Sequence, residues 1–399
     1  MILFLEIILY IVAVALCIPC AFLLLECLAA SLPKGNEQSH VEMKPAFDSI
    51  KISVLVPAHN ESSGIRTTLE TLLPQVSEPK NIVVIADNCS DDTAAIAREY
   101  GVTVIERENL QLRGKGYALD YGLQFLETEP PDVVVTVDAD CSVAPRTVEN
   151  IARLAKTTNR PVQSTYLMEQ PANPSSKDII SALAVRVKNL VRPLGLLRLG
   201  FPNLLTGSGM AFPWQVIRQI SLANSKTVDD MQSGIDLAIA GYPTIYCDRA
   251  RVTGRLMEKE AATSQRSRWE HGHLETLLTQ SPRLLKAAIA QKRYELIMLA
   301  LEIAIPPLSL LVMLWLGATC FALLATALGL SWIPLTILTL AGFSIFCAVA
   351  LSWAKFCRTE IPGKSLIAIP FYLLWKIPLY IAYSLEPQTK WLKTERDNS

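Results

Sequence analysis

From Ile2 to Leu32 the sequence is almost unbroken apolar, interrupted only by Glu6 and Glu26. That run exceeds the ~20 residues needed to cross a hydrocarbon core, so it predicts a membrane helix. A cleaved signal peptide would carry a basic n-region and a shorter apolar stretch. Neither is present, although Ala29-Ala30-Ser31 mimics a cleavage site. The segment reads as a signal anchor. Lys34, Lys44 and Lys51 follow it and no Lys or Arg precedes it. The positive-inside rule therefore puts the N-terminus outside and the chain from about Lys34 onward in the cytoplasm.

No window between 33 and 295 is apolar enough to span. Leu296 to Leu330 and Ile333 to Ala354 are two further apolar runs, the second flanked by Lys355, Arg358 and Lys364. Ser365 to Leu385 is apolar but interrupted by Pro370, Lys376 and Pro378. A Lys at mid-span is costly, which predicts an interfacial or re-entrant piece. The polar tail Glu386 to Ser399 carries Lys390, Lys393 and Arg396. Three spans and one interfacial helix are expected, with four spans as the alternative. The expected organisation is 1–32 anchor, 33–50 linker, 51–275 cytoplasmic domain, 276–295 interfacial helix, 296–385 C-terminal spans and interfacial helix, and 386–399 cytoplasmic tail.

Composition narrows the class. Only 19% of the 399 residues are charged, and 37 basic residues cancel 37 acidic ones. A neutral chain has no global field for nucleic acid, and 51% hydrophobic content excludes disorder. A transporter would need polar residues inside its spans, and Glu302 with Pro306 and Pro307 is the one such cluster. It reads as the interfacial start of the second span. Most of the nine cysteines lie in or beside apolar segments, Cys17 and Cys20 among them, and read as small buried hydrophobes.

The domain between the spans reads as α/β. Ile52–Val56, Asn81–Ile85, Val102–Ile105 and Val133–Val137 are β-branched runs, each a buried strand candidate. Helical patterns over Ser63–Leu73, Asp91–Tyr100 and Tyr117–Leu126 alternate with them. That alternation predicts a mostly parallel sheet, which binds ligands at the carboxyl ends of its strands. The residues just after each run are polar and acidic: Pro57 to Glu61, Asp87 to Thr93, and Asp138-Ala139-Asp140, with Arg113-Gly114-Lys115-Gly116 before the last. Asp87 to Thr93 alone could be only a helix cap. Asp138 and Asp140 repel each other unless a cation or hydrogen-bond donors compensate. A hard divalent ion on a diphosphate does so, and Arg113 and Lys115 can approach the same diphosphate or the base. Ser176 to Gly200 carries Lys177, Arg186, Lys188, Arg192 and Arg198 among apolar residues. It reads either as a helix on an anionic leaflet or as an ordinary surface helix.

Taken in order, Pro57, His59 and Glu61, Asp87, Arg113 and Lys115, Asp138 and Asp140, Thr227-Val228-Asp229-Asp230, and Gln265-Arg266-Ser267-Arg268-Trp269 resemble the membrane-bound family 2 glycosyltransferases. These are inverting enzymes of the processive type, related to cellulose, chitin and hyaluronan synthases and to bacterial exopolysaccharide transferases. The resemblance covers about residues 50 to 275, and the anchor and C-terminal spans match the layout. It implies a GT-A-like nucleotide-sugar-binding domain, a UDP-sugar donor and a divalent cofactor, Mg²⁺ or Mn²⁺. Pro57, His59, Glu61, Arg113 and Lys115 would line the nucleotide sugar. Asp87 would contact the uracil or ribose, Asp138 the nucleotide, and Asp140 the ion. Asp230 falls where the family has its catalytic base. Gln265 and Arg268 would clasp the diphosphate, and Trp269 would stack on the acceptor beside the Gly207-Ser208-Gly209 loop.

Two positions depart from the pattern. His59 stands where the family often has Tyr, and Val228-Asp229-Asp230 replaces Thr-Glu-Asp, so Asp229 stays open as the base. His271 and His273 read as surface histidines, with metal ligation the alternative. The implied acceptor is a growing glycan, or a lipid receiving a single sugar. Three spans are few for a polymer channel, and oligomerisation or polysaccharide-export subunits would supply more helices. A non-catalytic membrane scaffold would have lost an acidic metal ligand or base; all are present.

Overall fold

The computed structural model describes residues 2–33, 50–171, 173–223, 229–255 and 259–385. Lys34 and Lys44, Thr227 and Val228, and the tail with Lys390, Lys393 and Arg396 lie outside the described residues. The chain divides into two compact units, Lys34–Ala172 with Pro202–Gly272 and Gln388–Ser399, and Met1–Pro33 with Asn173–Phe201 and His273–Pro387.

The first unit carries β1 (Ile52–Ala58), β2 (Ile82–Asp87), β3 (Thr103–Arg107), β4 (Val133–Thr136), β5 (Cys141–Val143), β6 (Val162–Met168), β7 (Met210–Pro213) and β8 (Ile245–Gly254). They form one sheet in the order β3-β2-β1-β4-β7-β6-β8-β5. The four β-branched runs pair in parallel, as their alternation with helices Ile65–Leu72, Thr93–Glu99 and Lys115–Leu126 requires. Beyond β4 the sheet is mixed: β7 is antiparallel to β4 and β6, β6 is parallel to β8, and β5 is antiparallel to β8. Within the parallel block, β1, β2 and β4 are buried on both faces, and β3 at the edge is only partly covered. Val54, Val56, Val84 and Val135 pack with Ile65, Leu69 and Leu72, while Leu55, Val83, Ile85 and Val134 pack with Leu119, Leu123 and Phe212. Full burial of each such side chain is worth about 1.5–3 kcal/mol, so the sheet needs no polar face. Strand order reverses between β1 and β4, which opens a crevice at their carboxyl ends.

Among the described residues of the second unit, three helices are long and apolar enough to cross a membrane: Ile2–Ser31, Leu308–Ala327 and Ile333–Cys357. The run Leu296–Leu330 is not one helix. It breaks between Tyr294–Ala304 and Leu308–Ala327, because Pro306 and Pro307 have no N–H to donate. The expected boundary at 275 falls inside a single helix, Lys259–Gln291. Ile369–Leu385 is one helix running past Pro378, and its Lys376 is fully buried with the ammonium over the rings of Tyr372 and Trp375.

The basic stretch differs from both expected readings. Ser176–Arg186, a π-turn over Val187–Val191 and Arg192–Leu199 run on as one helix, and four of its cations have partners within the protein. Arg186 pairs with Glu360, and Arg198 donates to the carbonyls of Ala29, Ala30 and Leu32. Lys177 sits 4.5 Å from the Trp375 ring centre. Arg192 is buried between two carboxylates, 3.0 Å from Glu26 Oε2 and 2.7 Å from Glu302 Oε2. Glu302 is therefore part of a buried ionic triad rather than an interfacial marker. Removing one partner of such a group typically costs about 3–5 kcal/mol, since it strands an unpaired buried charge. Gly195 is what lets the two backbones meet, because a Cβ there would lie 2.1 Å from the Glu26 carbonyl oxygen.

The histidines also depart from expectation: His271 and His273 are both buried. His273 donates Nε2–H toward the carbonyls of Ile303 and Ile305, at 3.3 and 3.1 Å. Burial pulls its pKa down to about 3, so it is a neutral packing group.

Candidate active site

Two clusters sit at the carboxyl ends of β1, β2 and β4. The first gathers around Asp87, the last residue of β2 and largely buried. Arg107, at the end of neighbouring β3, pairs with Asp87 at 2.6 Å, and Asn88 donates to the same oxygen at 3.0 Å. His59 Nδ1 lies 2.7 Å from the Asp87 carbonyl, which joins the β1 loop to the β2 loop. Glu61 is buried, and its N–H donates to Thr93 Oγ1 at 2.8 Å. Pro57 is half-buried within β1. The helix-cap reading of this loop is partly right: Asp91 accepts the Thr93 N–H at 3.1 Å, while Asp87 itself is held by Arg107.

The second cluster is built on the turn after β4. Asp138 and Asp140 are half-buried, and the Cys141 N–H closes the turn on the Asp138 carbonyl at 3.2 Å. Thr68 donates to the Ala139 carbonyl at 2.8 Å, and the Arg255 N–H donates to the Asp140 carbonyl at 3.2 Å. One ligand atom from each of Asp138, Asp140 and Cys141 lies within 4.8 Å of the others. Burial first, and then the charge of Asp138, push the Asp140 carboxyl up to about 6. Burial likewise raises the Cys141 thiol well above its usual range, which leaves it a neutral neighbour rather than an anionic ligand. Two crowded carboxylates with hard oxygen donors suit a divalent cation such as Mg²⁺ or Mn²⁺. Lys115, first residue of its helix, already places an ammonium on Asp138 and donates to the Gly207 carbonyl at 2.6 Å.

Facing this turn is the loop Gly207-Ser208-Gly209. The Asp138 N–H donates to Ser208 Oγ at 3.0 Å, and the Gly209 N–H to the Thr136 carbonyl at 3.0 Å. Gln163 braces the loop with both ends of its amide: Oε1 accepts the Thr206 N–H at 2.8 Å and Nε2 donates to the Ser208 carbonyl at 2.9 Å. Asp230 belongs to the same group, since a Cβ on Gly207 would stand 3.4 Å from Asp230 Oδ2. Gly209 has φ +68, and a Cβ there would fall 2.0 Å from Ser164 Oγ and 2.6 Å from Val252 Cγ2. Gly209→Ala is accordingly expected to cost about 2–4 kcal/mol, combining left-handed strain with overpacking. Thermal melting of the purified chain checks this, and an unchanged midpoint would show that the loop adapts freely.

The structure thus joins Lys115, Asp138, Asp140, Gly207, Ser208, Gly209 and Asp230 in one group, and His59 with Asp87 in another. Arg113 is exposed and is not joined to either. Arg268 and Trp269 are half-buried on the helix Lys259–Gln291; burial lowers the pKa of Arg268. The side chains of Gln265 and Asp229 lie outside the described residues. Sequence reading missed Arg107, Gln163 and Cys141. Gln163 left no signal in the sequence, because it stands with Ser164 and Thr165 in a stretch that does not read as an apolar run.

Acids clustered at the switch point of this mixed sheet define a GT-A-like domain. The pattern of Glycosyltransferase like family 2 matches residues 50–272, more than half of the chain, and the chain belongs to that family. An uncharacterized protein of Methanocaldococcus jannaschii is 37% identical over 103 residues, covering 26% of this chain and 41% of that one. The low-salt glycan biosynthesis hexosyltransferase of Haloferax volcanii is 27% identical over 189 residues, covering 47% and 42%. The chain spans less than half the length of these curated relatives. Among solved structures, a mannosyltransferase from Pyrobaculum calidifontis, in complex with GDP-Man and Mn²⁺, shares the fold with a TM-score of 0.50. It is 20% identical, over 87% of this chain and 99% of its own.

Proposed function

We propose that the chain is a membrane-embedded, metal-dependent, inverting glycosyltransferase. It moves a sugar from a nucleoside diphosphate sugar, UDP-linked in the first instance, to a hydroxyl of a growing glycan. The observation that carries this reading is the convergence of Lys115, Asp138, Asp140, the Gly207–Gly209 loop and Asp230 at the switch point of a family 2 domain. Asp138 and Asp140 would hold the divalent ion, which when bound neutralises charge on the leaving diphosphate. The Lys115 ammonium adds to that neutralisation from the other side of Asp138. Asp230 takes the proton of the acceptor hydroxyl as that oxygen attacks the anomeric carbon. Asp87, oriented by Arg107, and the loop of Pro57, His59 and Glu61 bind the nucleoside. Arg268 and Gln265 serve the diphosphate, Trp269 the acceptor, and Arg113 the outer edge of the donor.

The spans Ile2–Ser31, Leu308–Ala327 and Ile333–Cys357 tether the catalytic domain to the cytoplasmic face, where Lys51 follows the anchor. A second reading is transfer of a single sugar to a lipid acceptor, because the three such helices among the described residues do not by themselves enclose a polymer path. Purified protein given UDP- and GDP-sugars with Mg²⁺ or Mn²⁺ is expected to release nucleoside diphosphate from one class. No release from any donor, with glycan and lipid acceptors both supplied, would refute the assignment.

A further inference from the structure

We propose that the Thr136 hydroxyl reads the exocyclic hydroxymethyl group of a hexose donor, which enters a small apolar cavity between Lys115 and Asp230. The inference rests on the transferase reading above and deepens it to a donor class. The cavity lies in the nucleotide-binding unit, on the face of the sheet that packs against the helix Lys115–Leu126. Leu119, Leu205, Met210, Phe212 and Leu222 line it, and Lys115, Asp230 and Ser233 stand with them as its polar wall.

Thr136, the last residue of β4, is one of the residues lining the same space. Its carbonyl is used, accepting from the Gly209 N–H. Its side-chain oxygen is not: Thr136 is 3% exposed, and Oγ1 has no hydrogen-bond partner. A buried hydroxyl without a partner is uncommon and costly, and one facing a cavity marks where a ligand's polar atom belongs. Val134, two residues earlier on the same face, is buried in ordinary apolar packing, so valine would have served this strand equally well at 136.

The chemistry of the lining selects the occupant. Five apolar side chains with the Thr136 hydroxyl among them, and the polar wall of Lys115, Asp230 and Ser233 at one side, suit a small group with one carbon and one hydroxyl. The walls contain the proposed base and the lysine that holds Asp138, which sets the cavity beside the sugar ring rather than the nucleoside. A hydroxymethyl group fits: its methylene rests on Leu119 and Met210, and its oxygen exchanges a hydrogen bond with Thr136.

The full chain, purified in detergent, is given matched donors that differ only at this position: UDP-glucose with UDP-xylose, and GDP-mannose with GDP-6-deoxymannose. Wild type is expected to prefer the hexose of its accepted pair by about 10- to 100-fold in kcat/KM, since the deoxy donor leaves the hydroxyl unpaired. Thr136→Val should erase most of that ratio by slowing the hexose alone, and Thr136→Ser should keep it. A wild type that uses both members of its accepted pair equally overturns the proposal, whether or not the valine variant folds. A folded Thr136→Val that keeps the full ratio also overturns it. Release from no donor at all refutes the transferase reading first, and this assignment falls with it.

Discussion

Asp140→Asn is expected to abolish turnover. The carboxylate is half-buried, crowded by Asp138, and its anionic form is already disfavoured by burial. That is a stable arrangement for a metal ligand and a poor one for a bare surface acid. Asparagine keeps the shape but removes the charge, so a hard divalent ion loses its better ligand and the diphosphate keeps uncompensated charge. Lys115 adds one positive charge beside Asp138 but, being a cation, cannot replace the lost carboxylate as a metal ligand. Titrating Mg²⁺ or Mn²⁺ against nucleotide binding reads the lesion directly. Normal activity of the variant at low metal would remove Asp140 from this role.

Asp230→Asn separates chemistry from binding. The amide can still hydrogen-bond an acceptor hydroxyl but cannot take its proton, and loss of such assistance costs on the order of 10² to 10⁴ in rate. Nucleotide affinity should hardly change, because Asp230 adjoins Gly207, in the loop proposed to face the acceptor. Measured kcat should fall while the dissociation constant for nucleoside diphosphate stays put. Should Asp230→Asn turn over normally and Asp229→Asn be dead, the base lies one residue earlier.

The parallel half of the fold and its loops were legible for a simple reason. A strand buried on both faces must be continuously apolar, so Val54, Val84 and Val135 announce themselves, and polar residues directly after them mark the open end of the sheet. The antiparallel half was not legible, because β6 buries Gln163, Ser164 and Thr165 and so breaks the apolar signal. Long-range electrostatics was hidden as well. Arg107 reads as a strand-end surface residue until β3 pairs with β2 and brings it to Asp87. The basic helix misled for the opposite reason: its cations look solvent-bound in isolation, yet their partners are carboxylates and carbonyls from segments far away in the chain. Thr136 looked like one more β-branched strand residue, and only the cavity beside it gives its hydroxyl a meaning.

The buried triad also sets an order of assembly. Glu26 is made 166 residues before Arg192, and Glu302 follows Arg192 by another 110. All six strands from β1 to β6 are synthesised inside the first interval. Throughout it the helix Ile2–Ser31 holds a carboxyl whose partner has not been built. The ionic triad therefore closes only after the strands β1 to β6 have been synthesised. A chain arrested before residue 192 would carry a nearly finished donor site on an anchor that has not yet found its place.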